Sequence, residues 1–207
     1  MQLPLEWKSE FFIKVREYIV SNYQGLMYID IGAHVGHSIF FFTNSIDGVF
    51  TKIIGIEPDS NNFDLLQKNI NNAKLHNVGI FYGVKESKVY GNGDNSPAGY
   101  FVESIGHKII SHTKLVPYNE KTFKLKPLEE IIEIENRSIF IKIDVEGSEY
   151  NILENSTIVQ NAELLLLEFH HLPGNEIGEY VSKFVNTYNY NIISSFEEKH
   201  YFLRKHK

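Results

Sequence analysis

Short, almost uninterrupted apolar runs alternate with helical-period segments along this chain, and that alternation restricts the fold more than anything else in it. The runs are Leu26–Ile31, Lys52–Glu57, Val78–Val84, Ser138–Asp144 and Glu163–Phe169. Helical spacing falls at 8–22, 35–45, 60–74, 148–155 and 175–188, with a short helix expected at 128–135. A strand that is apolar on both sides must be covered on both faces. That is the condition of a parallel sheet built from βαβ units. Two further runs, Asn191–Ser195 and His200–Arg204, flank the turn Phe196-Glu197-Glu198-Lys199 and predict an antiparallel pair at the end. The expectation is a doubly wound α/β domain over residues 1–207, with its first helix inside 1–24.

Composition sets the outer limits. The 207 residues suit one domain and a full core without staples. Charge is 20 − 26 = −6, which argues against grip on duplex nucleic acid by charge alone. Zero cysteines exclude disulfides, thiolate nucleophiles and Cys-ligated zinc. The longest apolar runs are far short of the ~20 residues of a membrane helix, and no secretory signal is visible. A soluble cytoplasmic protein, with no membrane partner, is expected.

In open parallel sheets, ligands bind beyond the carboxyl ends of the strands. The residues there are informative. Asp30-Ile31-Gly32-Ala33-His34-Val35-Gly36 follows the first strand and opens a helix. Its G-x-x-x-G spacing is not the dinucleotide G-x-G-x-x-G. Asp30 would suit a cationic ligand group such as an amino-acid ammonium better than a pyrophosphate. A plain glycine turn reads equally well at this point.

Glu57-Pro58 ends the second strand, 57 − 30 = 27 residues on. A carboxylate there can accept two hydrogen bonds from a ribose diol, or simply open a helix. Lys142-Ile143-Asp144-Val145-Glu146-Gly147-Ser148-Glu149 places a lysine inside an apolar strand, so an acidic partner is required. Asp144, Glu146 and Glu149 then supply a base, a metal ligand or an ordinary helix-start cluster. Glu168 ends the fifth strand ahead of His170 and His171. With Asp144 it would bind a hard cation such as Mg²⁺ or serve as general base; its bland alternative is an ion pair with Lys142. His34 and His37 are spaced i, i+3, which packing explains as well as ligation. Residues 85–126 carry Gly91, Gly93, Pro97 and Gly99 and read as an irregular insertion with one or two short strands. Tyr100, Phe101, His107, His112 and Tyr118 in it are candidates to line a substrate cleft.

The runs Tyr28–Gly36, Ile56-Glu57-Pro58, Ile141–Glu149 with Leu153, and Leu167–His170 together resemble the FkbM-type S-adenosylmethionine-dependent methyltransferases. The match spans about 26–170, and Lys142–Gly147 is its most specific part. The resemblance implies a class I methyltransferase (Rossmann-like) fold: a seven-stranded sheet, mostly parallel, with an antiparallel last strand. It implies methyl transfer to a hydroxyl of a sugar, glycan or small natural product. Asp30, Gly32, Ala33, His34 and Gly36 would form the cofactor loop, and Glu57 with Pro58 would hold the ribose. Val84 and Lys85 would lie by the adenine, with Asp144 facing the methyl group. Asp144, Glu168 and His170 are then the candidates for catalysis, and Asp144 and Glu168 for a metal. Little in the chain caps the cleft, so an oligomer or partner is one way to close it. Rival readings are a silent cofactor-binding module, an RNA methyltransferase favoured by Lys108, Lys114, Lys121, Lys124 and Lys126, and an NAD-dependent oxidoreductase.

Overall fold

The computed structural model describes residues 2–91, 101–102, 116–133, 138–171 and 176–206, with side chains described in these ranges except at 87–91, 101–102 and 116–121. Its main sheet has seven strands: β1 (Leu26–Ile31), β2 (Phe50–Ile56), β3 (Lys74–His76), β8 (Ile139–Ile143), β9 (Leu164–Glu168), β10 (Tyr190–Phe196) and β11 (His200–Lys205). The order is β10-β11-β9-β8-β1-β2-β3. β1, β2, β3, β8 and β9 run parallel, and β11 is antiparallel to both of its neighbours, β9 and β10. This is the expected class I architecture, with the last strand inserted second from the edge.

Alternate residues of each strand feed two cores. Met27, Ile29, Ile31, Ile141, Ile143, Leu165 and Leu167 face α4 (Glu149–Asn155), α5 (Thr157–Gln160) and α6 (Ile177–Tyr188). Leu26, Tyr28, Phe140, Leu164 and Leu166 face α1 (Glu10–Asn22), α2 (His37–Thr43) and α3 (Ser60–Asn69). Helix character follows this burial. On α6, Ile177, Val181 and Phe184 recur at i, i+4, i+7 and are buried, and Asn189 ends the helix in a left-handed conformation. On α3, the Asp59 carboxylate caps the backbone N–H groups of Asn61 and Asn62. Tyr28 stacks on Phe140 at 4.9 Å, and Phe42 meets both edge-on. Each such ring contributes roughly 1.5–3 kcal/mol by burial.

The third strand departs from expectation. It is Lys74–His76, paired with β2, and α3 stops at Asn69 rather than reaching residue 74. The expected 78–84 strand contributes only β4 (Gly79–Ile80), which pairs with β7 (Val116–Lys126) in a second sheet completed by β5 (Glu86–Gly91) and β6 (Phe101–Val102). Lys74-Leu75-His76 sits at a sheet edge and is only part-buried, so it carries no continuous apolar signature. Among its described residues the insertion holds three strands rather than the one or two short ones expected, and β7 spans 11 residues. Tyr100, His107, His112, Lys108 and Lys114, and the side chains of Phe101, Tyr118 and Lys121, lie outside the described set.

Candidate active site

Five charged residues form a row across one end of four neighbouring strands, the carboxyl ends of β1, β8 and β9 and the amino end of the antiparallel β11. Strand register sets Asp30 of β1 beside Lys142 of β8, and Glu168 of β9 beside His200 of β11. All four side chains share the face that carries α1 and α2, because each keeps the parity of Tyr28, Phe140, Leu166 or Phe202. Asp144 follows β8 and completes the row. The Lys142 Nζ lies 3.1 Å from Asp144 Oδ2 and 3.5 Å from Asp30 Oδ1, and donates to the Gly32 carbonyl at 3.2 Å. Burial disfavours the lysine charge, yet Asp144 and Asp30 hold its pKa above the ordinary lysine value. The expected acidic partner of Lys142 is therefore Asp30 with Asp144, not Glu168.

Asp30 itself is fully buried. Its Oδ2 accepts from Tyr28 (3.0 Å) and from Ser38, and burial raises its pKa against Lys142, Ser38 and Tyr28. It does not line the cavity described next; Ser38 and Lys142 stand between.

A cavity of about 390 Å³ runs along these strand ends. Gly32, Ala33, His34, Glu57, Pro58, Lys142, Asp144 and Glu168 all line it; Gly36 does not. Gly32 has φ +85°, and a Cβ there would lie 1.8 Å from the Asp144 carbonyl oxygen. Only glycine lets the loop after β1 touch the loop after β8. Gly36, at φ +96°, opens α2 and packs on Ile70 and Leu66 of the neighbouring segment. The Glu57 carboxylate, 5% exposed, accepts the His34 and Asp59 backbone N–H groups at 2.9 Å each. Burial pushes its pKa up to about 7, although those N–H groups favour the ionised form. The Asn62 side chain also bonds this carboxylate, which still leaves it lone-pair capacity for a ligand donor. His34 Nε2 is buried without a hydrogen-bond partner among the described residues.

Beyond Glu57 the cavity wall is apolar: Val78, Ile80, Phe123 and Leu125. Val84 and Lys85 are not part of it. Val84 packs behind, against the cluster of Phe81, Phe123 and Leu125. Their expected place beside the ligand followed from the misplaced third strand.

At the opposite end stand Asp144, Glu146, Glu168 and Ser148, with Pro4, Glu6 and Trp7 across from them. Trp7 is anchored on Phe12 (4.6 Å between centroids) and Phe41 (5.4 Å). The N-terminal segment thus supplies a wall of the cleft, which sequence reasoning left to a partner. The signal for it, one tryptophan at position 7, points to no particular neighbour.

His170 is held on both sides. Nδ1 lies 2.8 Å from Glu149 Oε1 and Nε2 3.1 Å from Glu146 Oε2. Burial alone would lower its pKa, but the two carboxylates, Glu149 foremost, raise it to about 10. Both ring nitrogens are thus matched to carboxylates, an arrangement that favours the imidazolium form at neutral pH. Burial opposes the Glu168 charge, yet His200 and Lys199 hold its pKa below the usual carboxylate range; the contacts are 3.3 and 2.8 Å.

The Methyltransferase FkbM domain model matches residues 30–205. This chain belongs to the FkbM methyltransferase family. Among solved structures, this FkbM chain is similar to the FkbM methyltransferase of Methylobacillus flagellatus KT, at 20% identity and TM-score 0.53. The alignment covers 86% of this chain and 43% of that one, so the chain spans less than half of the larger protein. It also shares its fold with an rRNA methylase of Streptococcus thermophilus, at 9% identity and TM-score 0.50, over 96% and 98% of the two chains. No curated protein matches it in sequence. No helix among the described residues is long and apolar enough to cross a membrane.

The FkbM site does not suit a divalent metal. Asp144, Glu168 and His170 do converge, their ligand atoms lying within 4.8 Å of one another. Each is already matched: Asp144 with Lys142, Glu168 with Lys199 and His200, His170 with two carboxylates. A cation placed among them would meet two ammonium groups and an imidazole with no lone pair to offer.

Proposed function

We propose that this chain transfers the methyl group of S-adenosylmethionine to a hydroxyl of a sugar, glycan or small natural product. The observation that carries the reading is one cavity joining the Gly32 turn to the buried Glu57 carboxylate on the adjacent parallel strand. A sulfonium-borne methyl group supplies an electrophile that needs no metal.

The chain's own residues divide the work. The backbone of Gly32, Ala33 and His34 cradles the amino-acid portion, while Gly36 sets the turn into α2. Asp30 acts from behind, fixing Ser38 and Lys142. Glu57 accepts from the ribose diol beside Pro58. Val78, Ile80, Phe123 and Leu125 enclose the adenine. Alignment of donor and acceptor is worth several kcal/mol of barrier. Removal of the hydroxyl proton falls to a carboxylate at the β8 end, where Asp144, Glu146 and Glu168 line the cavity.

Transfer from methyl-labelled S-adenosylmethionine to panels of sugars, hydroxylated natural products and RNA tests the reading. Label in hydroxyl compounds alone supports it. Label in RNA alone replaces the acceptor class, which the net charge of −6 disfavours.

A further inference from the structure

The loop after β8 contains a second carboxylate, Glu146, one of the three there that the sequence offers as a base, a metal ligand or a helix-start cluster. Glu146 lines the cavity, at the end opposite the apolar adenine wall. Its backbone is left-handed, φ +53°, at a residue that is not glycine. Such a conformation is strained and persists where surroundings enforce it, as at active sites. Here the surroundings are visible. The Glu146 Oε2 lies 3.1 Å from His170 Nε2, and the far nitrogen of His170 lies 2.8 Å from Glu149, which is fully buried. Glu149 is fixed in turn by the Val145 N–H at 3.1 Å. The order is that of a base oriented through an imidazole by a buried acid. The neighbouring carboxylates are committed elsewhere, Asp144 to Lys142 and Glu168 to Lys199 and His200.

We infer that Glu146 is the catalytic residue that takes the acceptor's proton, and that His170 and Glu149 are positioning residues which aim it at the site of methyl transfer. The inference rests on the S-adenosylmethionine reading of the cavity. In the step, the acceptor oxygen bonds to the methyl carbon as the carbon–sulfur pair stays on sulfur, and the hydroxyl proton passes to a Glu146 oxygen. One positive charge on sulfur and one negative charge on Glu146 disappear together. Burial raises the Glu146 pKa to about 7, with His170 opposing and Asp144, Glu149 and Glu168 adding to the rise. A base tuned near working pH both accepts and releases its proton readily.

Two binding probes separate this role from cofactor binding. S-Adenosylhomocysteine is a neutral thioether with nothing in the place of the methyl group, whereas sinefungin carries a charged amine there. Calorimetry with both, on wild type and Glu146→Gln, reads the contact without needing an acceptor. The expected result is sinefungin weakened about tenfold or more, the size of a lost charge-assisted hydrogen bond, with S-adenosylhomocysteine unchanged within about twofold. Equal loss of both, or loss of neither, overturns the assignment of Glu146. An unchanged thermal midpoint for Glu146→Gln shows that any loss is local; a variant too unstable to measure is replaced by Glu146→Asp, which shortens the reach and must show the same selective loss. If the wild type binds neither probe, the cofactor reading fails and the base assignment falls with it.

Discussion

Lys142 and Asp30 face one another from adjacent parallel strands, both buried, with ammonium and carboxylate 3.5 Å apart at the end of an otherwise apolar sheet face. The pair ties the glycine turn after β1 to the loop after β8, because the same ammonium also bonds Gly32 and Asp144. Removing Lys142 leaves the buried Asp30 carboxylate with the hydroxyls of Tyr28 and Ser38 but no countercharge from the lysine. Lys142→Met is expected to cost about 3–5 kcal/mol in urea unfolding. A loss below about 1 kcal/mol would show that the pair does not hold the loops.

Two glycines with similar positive φ separate backbone strain from crowding. Gly32→Ala places a methyl 1.8 Å from the Asp144 carbonyl oxygen, whereas Gly25→Ala meets nothing within 4 Å. The left-handed penalty, roughly 1–2 kcal/mol, applies to both; only Gly32 adds a clash worth about 1–3 kcal/mol more. Unfolding free energies should therefore rank the two variants, and only Gly32→Ala should also lose S-adenosylhomocysteine binding.

Stability should fall as pH rises above neutrality. His170 and His200 are raised to about 10 and about 9 by their carboxylate partners against the effect of burial. A raised histidine contributes stability that is complete below the unfolded value near 6.5 and is lost as pH climbs through the folded value. The groups facing them are Glu146, Glu149, Asp144, Glu168, Glu6 and Lys199. Unfolding free energy measured from pH 6 to 10 should decline, and His170→Gln should flatten part of that slope. A wild-type profile that is level over this range would contradict the charged-histidine account.

Cofactor affinity should carry the opposite sign. Glu57 is held up to about 7 by burial, and a ribose diol donates best to the ionised form. S-Adenosylhomocysteine binding is expected to tighten from pH 6 to pH 8, and Glu57→Gln should abolish the dependence together with about 1.5–3 kcal/mol of affinity.

Much of this was legible in the amino-acid order, for identifiable reasons. β1 appears as written, Leu26–Ile31, because a central strand is apolar on both faces. The paired strands at the end are visible because a short charged turn joins them. Lys74–His76 was not visible, since an edge strand needs no continuous apolar run, and with the strand misplaced Val84 and Lys85 were expected at a cavity that they do not line. The apolar cavity wall of Phe123 and Leu125, and Trp7 over the opposite end, depend on contacts across the whole chain that no local pattern encodes. The same holds for His170: its motif marks the site, while only the fold places Glu146 and Glu149 on either side and makes it a cation.

Magnesium should matter little. With the converging acids already paired to Lys142, Lys199 and His200, adding Mg²⁺ or EDTA is expected to leave the thermal midpoint and S-adenosylhomocysteine affinity unchanged. A midpoint raised by Mg²⁺ in a concentration-dependent way would contradict the ion-pair assignments.

The central claim is that the cavity between Gly32 and Glu57 is an S-adenosylmethionine site. Calorimetry of S-adenosylhomocysteine and NAD⁺ on the wild type tests it most directly. The account predicts saturable one-to-one binding of S-adenosylhomocysteine and none of NAD⁺. Binding of NAD⁺ in its place, or of neither by well-folded protein, would contradict it.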